Sequence, residues 1–234
     1  LAARPGYAEV VFPYIGGEEV NASPTHAHDR YVINFGDRTE AECRARYPDL
    51  MCIVNIKVHP ERKKYGNDLI AKYWWLFKRA TPALYAAIAT LDHVLVISRV
   101  GQHASIARVP TGTVYAETLV VFPFATFGPL ACLQSQAHEM WARFFGSSLG
   151  DGLRYTPSDC FETFPFPEGW ETRADLEAAG RDYYDFRADL MVRNDQGLTT
   201  TYNRFHDPDD GDPQIARLRA LHAAMDRAVL DAYG

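Results

Sequence analysis

Short runs rich in apolar, β-branched and aromatic residues recur along the chain between turn residues, which predicts strands. Residues 10–15 and 30–35 have the composition of short strands, and each stretch ends at a glycine turn. Residues 94–97, 105–109, 113–115 and 118–122 predict four more strands in the middle of the chain. Turn residues separate these runs, so we expect a mixed, mainly antiparallel sheet.

Helical spacing and capping signals predict helices around the strands. Thr39 is a typical N-cap for a helix that Pro48 ends, and a second helix is expected over residues 49–64, disturbed at Pro60. Thr81 and Pro82 begin another helix. After Gly128 a single helix is expected to about Phe145, with one apolar side made of Leu130, Leu133, Ala137, Met140, Trp141 and Phe144.

The last third of the chain has a different pattern. Residues 171–193 and 212–233 predict two charged helices, and residues 194–211, rich in Asp and Gly, predict the loop between them. The expected fold class is therefore α+β. Residues 1–169 form a sheet domain flanked by helices, and residues 170–234 form a C-terminal helical hairpin.

Composition narrows the classes of protein. The 234 residues are 47% apolar and 23% charged, which is typical of a soluble protein with one large or two small domains. The longest apolar run, residues 118–127, contains Pro123 and is too short to cross a bilayer, and no signal peptide opens the chain. We therefore expect a cytoplasmic protein with no membrane partner. The chain begins at Leu1 rather than Met, so we expect a piece of a longer polypeptide.

The four cysteines are widely spaced and include no CxxC pair, which favours free thiols over disulfides or a zinc site.

The net charge of −6 disfavours a nucleic-acid partner at first sight. The distribution of charge weakens this argument against a nucleic-acid partner, because the acidic residues are concentrated in the tail. Of the 30 acidic residues 13 follow residue 170, but only 8 of the 24 Lys and Arg residues do. Residues 57–79 are strongly basic, and residues 93–116 hold Arg99 and Arg108 without a carboxylate. These clusters are candidate DNA contacts, although a solvated helix face and an ordinary strand pair would look the same.

Catalytic motifs are weak. Asp49, Glu61 and Lys63 loosely match the PD...ExK pattern of Mg²⁺-dependent nucleases, but the second half lacks a strand pattern. A polar loop is favoured over a metal site at His26, His28 and Asp29. Side chains two positions apart on a strand do not converge on one ion, and the sequence offers no further ligands beside them.

Two other catalytic interpretations are equally weak. Nothing in the sequence brings Cys160 and His138 together as a nucleophile and its base. No two prolines are adjacent, so the Asn/Asp-Pro-Pro-aromatic motif of amino-methyltransferases is absent and no methylation by this chain alone is expected. We expect no metal and no cofactor in this chain.

Nine ordered segments carry a family resemblance. They are VVFPYIGGEEVNASP (10–24), RYVINF (30–35), RYPDL with VHPERKK (46–64), YWWLFKRATPALYAAIATLDHVLVISRV (73–100), VPTGTVYAETLVVFP (109–123), LQSQAHEMWARFFGSSL (133–149), LRYTPSDCFETFPFP (153–167), TTYNRFHDP (200–208) and LRALHAAMDRAVLDAYG (218–234). Together they resemble the target-recognition domain and C-terminal region of MmeI-like and Eco57I-like type II restriction-modification proteins and of related phage-defence adenine methyltransferases.

This resemblance implies a function without chemistry. The chain would recognise a sequence in double-stranded DNA for an N6-adenine methyltransferase domain of the same polypeptide, which would bind S-adenosylmethionine and flip the target adenine. A nuclease in the intact protein would fit the same family.

The residues suggest where DNA is contacted. A base reader needs donors and acceptors on a rigid platform at the major groove, and the expected strand-turn-strand at residues 97–109 and the loop at residues 146–155 offer both. The candidate base contacts are Ser98, Arg99, Gln102, His103, Ser105, Arg108, Asp151 and Arg154. The candidate phosphate contacts are Lys57, Arg62, Lys63, Lys64, Lys78, Ser147 and Ser148.

Structural interpretations compete with these assignments. Arg154 would serve equally as a buried ion-pair partner of Asp159 or Glu162. The aromatic residues of the motifs are expected mainly in the core, at Trp74, Trp75, Phe77, Trp141, Phe144, Phe161, Phe164 and Phe166. Two other functions remain open. One is a protein-interaction module of a phage-defence complex acting through the acidic tail, and the other is a metal-dependent hydrolase using Asp49 and Glu61.

Overall fold

Short strands and helices follow one another in the computed structural model, which describes residues 6–66, 69–77, 81–149 and 152–234. The strands are β1 (Val11–Ile15), β2 (Arg30–Ile33), β3 (His93–Ser98), β4 (Val100–Gly101), β5 (Ala107–Pro110), β6 (Val114–Tyr115), β7 (Leu119–Phe122), β8 (Ser147–Leu149) and β9 (Gly152–Arg154). The helices are α1 (Gly17–Ala22), α2 (Glu40–Arg46), α3 (Pro48–Lys57), α4 (His59–Lys63), α5 (Leu69–Lys72), α6 (Pro82–Ala87), α7 (Phe127–Gln134), α8 (Gln136–Phe145), α9 (Pro157–Cys160), α10 (Ala174–Asn194), α11 (Leu198–His206) and α12 (Pro213–Asp231).

Within the described residues the strands form three small sheets, ordered β2-β1-β6, β5-β3-β7 and β4-β9-β8. The pairs β1–β2, β3–β5, β3–β7, β4–β9 and β8–β9 are antiparallel. Helices flank these sheets, so the predicted α+β class is confirmed. None of the described helices has the length and apolar character of a membrane span.

The chain divides into two compact units. The first comprises Leu1–Tyr14, Asp29–Ala87 and Gly112–Val114, and the second comprises Ile15–His28, Ile88–Thr111 and Tyr115–Gly234. The boundary near residue 169 that the sequence suggests stays a prediction.

In the first unit, local signals set the helix ends. The Thr39 hydroxyl accepts from the Glu42 amide at 3.3 Å, and the Glu42 carboxylate accepts from the Thr39 amide at 2.7 Å, a capping box that begins α2. The predicted disturbance at Pro60 is confirmed, because α3 ends at Lys57 and Pro60 lies in the first turn of α4. Tyr7, Phe35, Tyr47, Leu50 and Trp74 are among the buried residues of this core.

In the second unit, the buried strand β3 pairs with β5 on one side and β7 on the other. Helix α10 lies against α7 at the level of Gly180, where an added Cβ would come within 2.2 Å of the Phe127 carbonyl oxygen. The buried side of α10 runs through Leu176, Gly180, Tyr183, Arg187 and Leu190. Helices α7 and α10 therefore pack closely within the same hydrophobic core as β3 and β7.

The single helix expected from Gly128 to Phe145 is in fact two. The backbone is extended at Ser135, whose hydroxyl caps α8 by accepting from the His138 amide at 3.2 Å. The break changes the helical phase, so Met140 and Phe144 are 64% and 80% exposed instead of lying in the core. Their prediction as buried residues was wrong for this reason.

The expected loop over residues 194–211 contains α11, so a third helix lies inside the predicted hairpin. Helix α10 ends at Asp195, which adopts a left-handed conformation with φ of 50°. Leu198, Thr201 and Tyr202 are buried at helical spacing and fix α11. At Gly197 an added Cβ would meet the Asn21 and Ala22 carbonyl oxygens at 2.4 Å, so only glycine fits this close approach.

Candidate nucleic-acid interface

The sheet β4-β9-β8 joins the two segments in which the sequence placed the base contacts. Val100 lies opposite Arg154, and Arg154 lies opposite Ser147. Residues directly opposite one another in adjacent strands share a face of the sheet, and all three are exposed. Val100, Arg154 and Ser147 thus form one exposed row, which we call the cross-strand row.

Arg154 is free to contact a ligand. Its side chain is exposed, and among the described residues no carboxylate forms an ion pair with it. The alternative of a buried ion pair with Asp159 or Glu162 does not match this exposure. On the opposite face of β9, Leu153 is buried in the core of the second unit, so one face of the sheet is anchored and the other faces outward.

Arg99 connects the sheet β5-β3-β7 to the sheet β4-β9-β8. Its amide donates to the Thr118 carbonyl at 2.7 Å, and its carbonyl accepts from the Tyr155 amide at 2.8 Å. Its guanidinium Nε donates to the Glu117 carbonyl at 2.9 Å. The two terminal nitrogens of this half-buried side chain remain for a further contact. The turn between β3 and β4 is therefore held by backbone hydrogen bonds on both sides.

Side chains of α7, α8 and α10 hold the backbone of the segment between β4 and β5. The Gln134 amide accepts from Ile106 N at 2.9 Å and donates to the Ala104 carbonyl at 3.0 Å. Arg187 Nη2 donates to the Ile106 carbonyl at 2.6 Å, and Arg143 Nη2 donates to the Gln102 carbonyl at 2.9 Å. These bonds hold the segment, which we call the platform, at the backbone of Gln102, Ala104 and Ile106.

Four candidate base contacts in this platform or close to it in sequence are buried or engaged. Ser98 and Ser105 are 8% and 5% exposed, and the Ser98 hydroxyl accepts from the Asn21 side chain at 2.8 Å. His103 Nε2 donates to Asn203 Oδ1 at 2.7 Å. Arg108 Nε donates to the Ala125 carbonyl at 3.0 Å. Gln102, in contrast, has an exposed side chain beside the row.

The candidate phosphate contacts lie mainly in the first unit. Lys57, Lys63 and Lys64 are exposed, and Lys64 pairs with Glu61 at 2.7 Å. Arg62 is half-buried. Ser147 is exposed in the cross-strand row, and for Ser148 only the backbone pairing with Leu153 is described. Lys78 and Asp151 lie outside the described residues.

Cys160 and His138 do lie close together, but they do not form a catalytic pair. His138 Nδ1 donates to the Leu133 carbonyl at 2.9 Å, and burial lowers the pKa of His138 to about 4. Burial also raises the pKa of the Cys160 thiol, which lies against the Ala142 carbonyl. A nucleophilic cysteine requires a thiolate, so this environment favours a structural role.

The other catalytic candidates also have structural surroundings. His26 is buried with its Nδ1 donating to the Val20 carbonyl at 2.8 Å, and burial lowers its pKa to about 4. Asp49 and Glu61 lie on helices α3 and α4. Among the described residues, no three His, Cys, Asp or Glu side chains are grouped so that they could hold a metal ion.

Sequence reasoning missed the residues that fix the platform. Gln134 is buried between Leu133 and Ser135, and nothing local distinguishes it from a solvent-facing glutamine. The burial of Arg187 could have been predicted from the sequence. It lies four residues after Tyr183 and three before Leu190, on the buried side of α10. A charged residue on a predicted packing face indicates a buried polar network.

Comparisons with known proteins show the family and the fold of the chain. The model of the family described as MmeI, target recognition domain, matches residues 1–168. No curated protein matches the chain. The solved structure of the Type IIL restriction-modification enzyme MmeI in complex with DNA is similar in fold, with a TM-score of 0.68 and 20% sequence identity over 100% of this chain. The chain spans 29% of the length of that MmeI chain. Since the family model matches well over half of the residues, the chain belongs to the MmeI target-recognition-domain family.

Proposed function

We propose that this chain recognises a sequence in double-stranded DNA for a restriction-modification enzyme and performs no chemistry itself. One observation carries the proposal, namely the pairing of β9 with β4 and β8, which brings two predicted DNA-contacting segments into one exposed row. Small β-ribbons fit the major groove, where each base pair presents its own pattern of donors and acceptors. The family membership and the DNA complex of the similar MmeI structure support the same role.

Base recognition centres on the cross-strand row and its neighbours. Arg154 and Gln102 are exposed, and Arg99 keeps terminal guanidinium nitrogens for a bidentate contact to guanine. His103 and Arg108 would first have to leave their present hydrogen bonds. Asp151 is a further candidate from the sequence, whereas the burial of Ser98 and Ser105 disfavours direct contact of either with a base.

Phosphate contacts position the duplex without reading it. Lys57, Arg62, Lys63 and Lys64 supply cations from α3 and α4, and Lys78 remains a candidate from the sequence. Ser147 and Ser148 are candidates at β8.

We infer that catalysis belongs to other parts of the same polypeptide. A methyltransferase domain would bind S-adenosylmethionine and transfer its methyl group to N6 of a flipped adenine, and this chain would orient the duplex for that step. The same domain would be the permanent partner of this chain.

Selection of bound sequences from a randomised duplex pool tests the proposal directly. We expect binding that weakens with salt and enriches a short motif. Arg154→Ala should relax one position of the motif and cost about 1–3 kcal/mol of discrimination there. Lys63→Ala should weaken binding to all sequences about equally and reduce the salt dependence.

Arg227→Ala provides a matched control, because Arg227 is an exposed arginine on α12, away from the cross-strand row in sequence. It should leave the motif unchanged. The proposal is wrong if the pool binds without enrichment, or if Arg227→Ala and Arg154→Ala change the motif equally.

A protein-interaction module is the second candidate function. It is favoured by the apolar surface of α8, where Met140, Phe144 and Phe145 are 64%, 80% and 46% exposed. Monomeric proteins rarely expose several large apolar side chains together without a partner. No DNA binding even at low salt, together with stable association with a methyltransferase domain, would favour this function.

A further inference from the structure

The first unit contains a cavity of about 490 Å³, and two of the proposed phosphate contacts, Lys57 and Arg62, belong to its lining. Its lining comes from β1, β2, α3, α4 and residues 74–77, and it is mostly apolar. The volume lies within the range of about 300–1,000 Å³ that small-molecule sites occupy. The cavity is therefore large enough for a ligand rather than a single water molecule.

Aromatic residues line part of the cavity, and two of them, Trp74 and Trp75, have defined contacts with neighbouring residues. Trp74 is 6% exposed and stacks on the His59 ring at 4.2 Å. Trp75 donates its indole N–H to the Arg38 carbonyl at 2.9 Å and meets Trp74 edge to face at 6.0 Å. Phe77 follows on the same segment. A planar ligand would meet preformed aromatic surfaces, which suit base stacking.

Two cations line the same cavity. Lys57 is the last residue of α3, and Arg62 lies in α4, so the break at Val58 brings both side chains to it. They are the only charged residues of the lining in the described part of the chain. Among the described residues no carboxylate pairs with either, whereas the neighbouring Lys64 is paired with Glu61. The cavity thus offers positive charge to an anion next to aromatic surfaces.

We propose that this cavity binds a nucleotide, with the base against Trp75 and Phe77 and the phosphate between Lys57 and Arg62. A nucleotide combines in one molecule the planar ring and the adjacent anion that the lining requires. It comes either free from solution or as an unpaired nucleotide extruded from a duplex. Only the second source rests on the proposed function.

The free ligand is tested first, with the 5′-monophosphate of 2-aminopurine deoxyriboside and with the same nucleoside lacking phosphate. We expect the nucleotide to quench the protein's tryptophan fluorescence saturably and to bind more tightly than the nucleoside. Lys57→Ala and Arg62→Ala should each weaken nucleotide binding about tenfold, as expected for loss of one charge-assisted hydrogen bond, and should change nucleoside binding little.

Lys72 gives a matched control, because it is an exposed lysine of the first unit that neither lines the cavity nor belongs to the proposed DNA contacts. Lys72→Ala should leave nucleotide binding unchanged. Phe77→Ala should weaken the nucleotide and the nucleoside alike, since both carry the base.

The second source is tested with a duplex that contains one unpaired 2-aminopurine nucleotide. Binding to the chain should change the 2-aminopurine fluorescence relative to the free duplex, and Phe77→Ala should reduce that change. Arg154→Ala should relax one position of the recognised motif but preserve binding of the free nucleotide, which separates failure of the proposed function from failure of this site. A response to the free nucleotide alone would assign the site to nucleotides from solution.

Three results would overturn the proposal. The first is no binding of either nucleotide source. The second is equal affinity for the nucleoside and the nucleotide, together with affinities that Lys57→Ala and Arg62→Ala leave unchanged. The third is binding of an uncharged apolar dye only, which would make the cavity a docking cleft for an apolar side chain.

Discussion

Gly180 lies where α10 meets α7, and replacing it by alanine tests whether this contact limits the stability of the second unit. An added Cβ would lie 2.2 Å from the Phe127 carbonyl oxygen and 3.1 Å from the Ala131 Cβ. Cβ atoms essentially never approach a heavy atom within 3.0 Å, so the helices must move apart by about 0.8 Å. The obstacle is backbone, which cannot rotate out of the way as a side chain can.

Two opposing effects decide the result. Alanine in a helix interior is favoured over glycine by about 1 kcal/mol. Overpacking costs about 1–3 kcal/mol, and separating the helices also strains the bonds by which Glu177 caps α7 through the amides of Phe127 and Gly128, at 2.6 and 2.9 Å. We expect a net loss of about 2 kcal/mol, which lowers Tm by roughly 4–8 °C in a protein of this size.

Thermal and urea unfolding followed by circular dichroism measure this loss. Gly211→Ala is the matched control, because no atom lies within 4 Å of the added Cβ and the backbone conformation is ordinary. The control should change the free energy of unfolding by less than about 0.5 kcal/mol. An unchanged or increased Tm for Gly180→Ala would refute the packing argument, since helix propensity alone would then determine the outcome.

Three further predictions concern titration, capping and thiol reactivity. Burial holds the pKa values of His26 and His138 at about 4 in the folded chain, below the ordinary 6.5, so the unfolded state binds protons first as the pH falls. The free energy of unfolding should therefore fall between pH 6.5 and 4, by on the order of 3 kcal/mol per histidine, in denaturant titrations at each pH. Thr39→Ala removes the hydroxyl that accepts from the Glu42 amide and should cost about 1 kcal/mol in urea unfolding. Cys52 is exposed while the other three cysteines are buried, so a thiol reagent should label one cysteine rapidly in the folded chain and four after denaturation.

Each of these predictions has a result that would contradict it. A free energy of unfolding that stays constant from pH 6.5 to 4 would mean that the two histidines are protonated in the folded chain. Thr39→Ser should retain the cap, so an equal loss for serine and alanine would exclude the hydroxyl bond as the cause. Rapid labelling of two or more cysteines would show that a buried thiol becomes accessible on the time scale of the reaction.

Local features of the chain were predictable where one residue type dictates the backbone. Thr39 and Pro60 fixed helix boundaries through a side-chain acceptor and a missing amide, respectively, and neither effect depends on distant residues. The strands around β3 were recognisable from their branched apolar residues. The location of the candidate base-reading segments followed from motif resemblance and charge.

Other features depend on contacts that no local pattern contains. The break at Ser135 rests on one capping bond, yet it reverses the exposure of Met140 and Phe144. Strands β4, β8 and β9 have two or three residues each, too few for periodicity to identify. The bonds from Gln134 and Arg187 to Ile106 connect residues 28 and 81 positions apart, so only the folded chain brings them together.

The cross-strand row places proposed DNA contacts at positions whose side chains the fold does not require. Val100, Arg154 and Ser147 each project from a strand whose backbone pairing does not depend on the side chain, while Leu153 on the reverse face anchors the sheet. Three positions can therefore vary together over many combinations with little effect on the interior. Such a surface can diversify by point substitution, without insertions or rearrangement, and a library randomised at these three codons would test whether the proposed sequence preference changes while the scaffold does not.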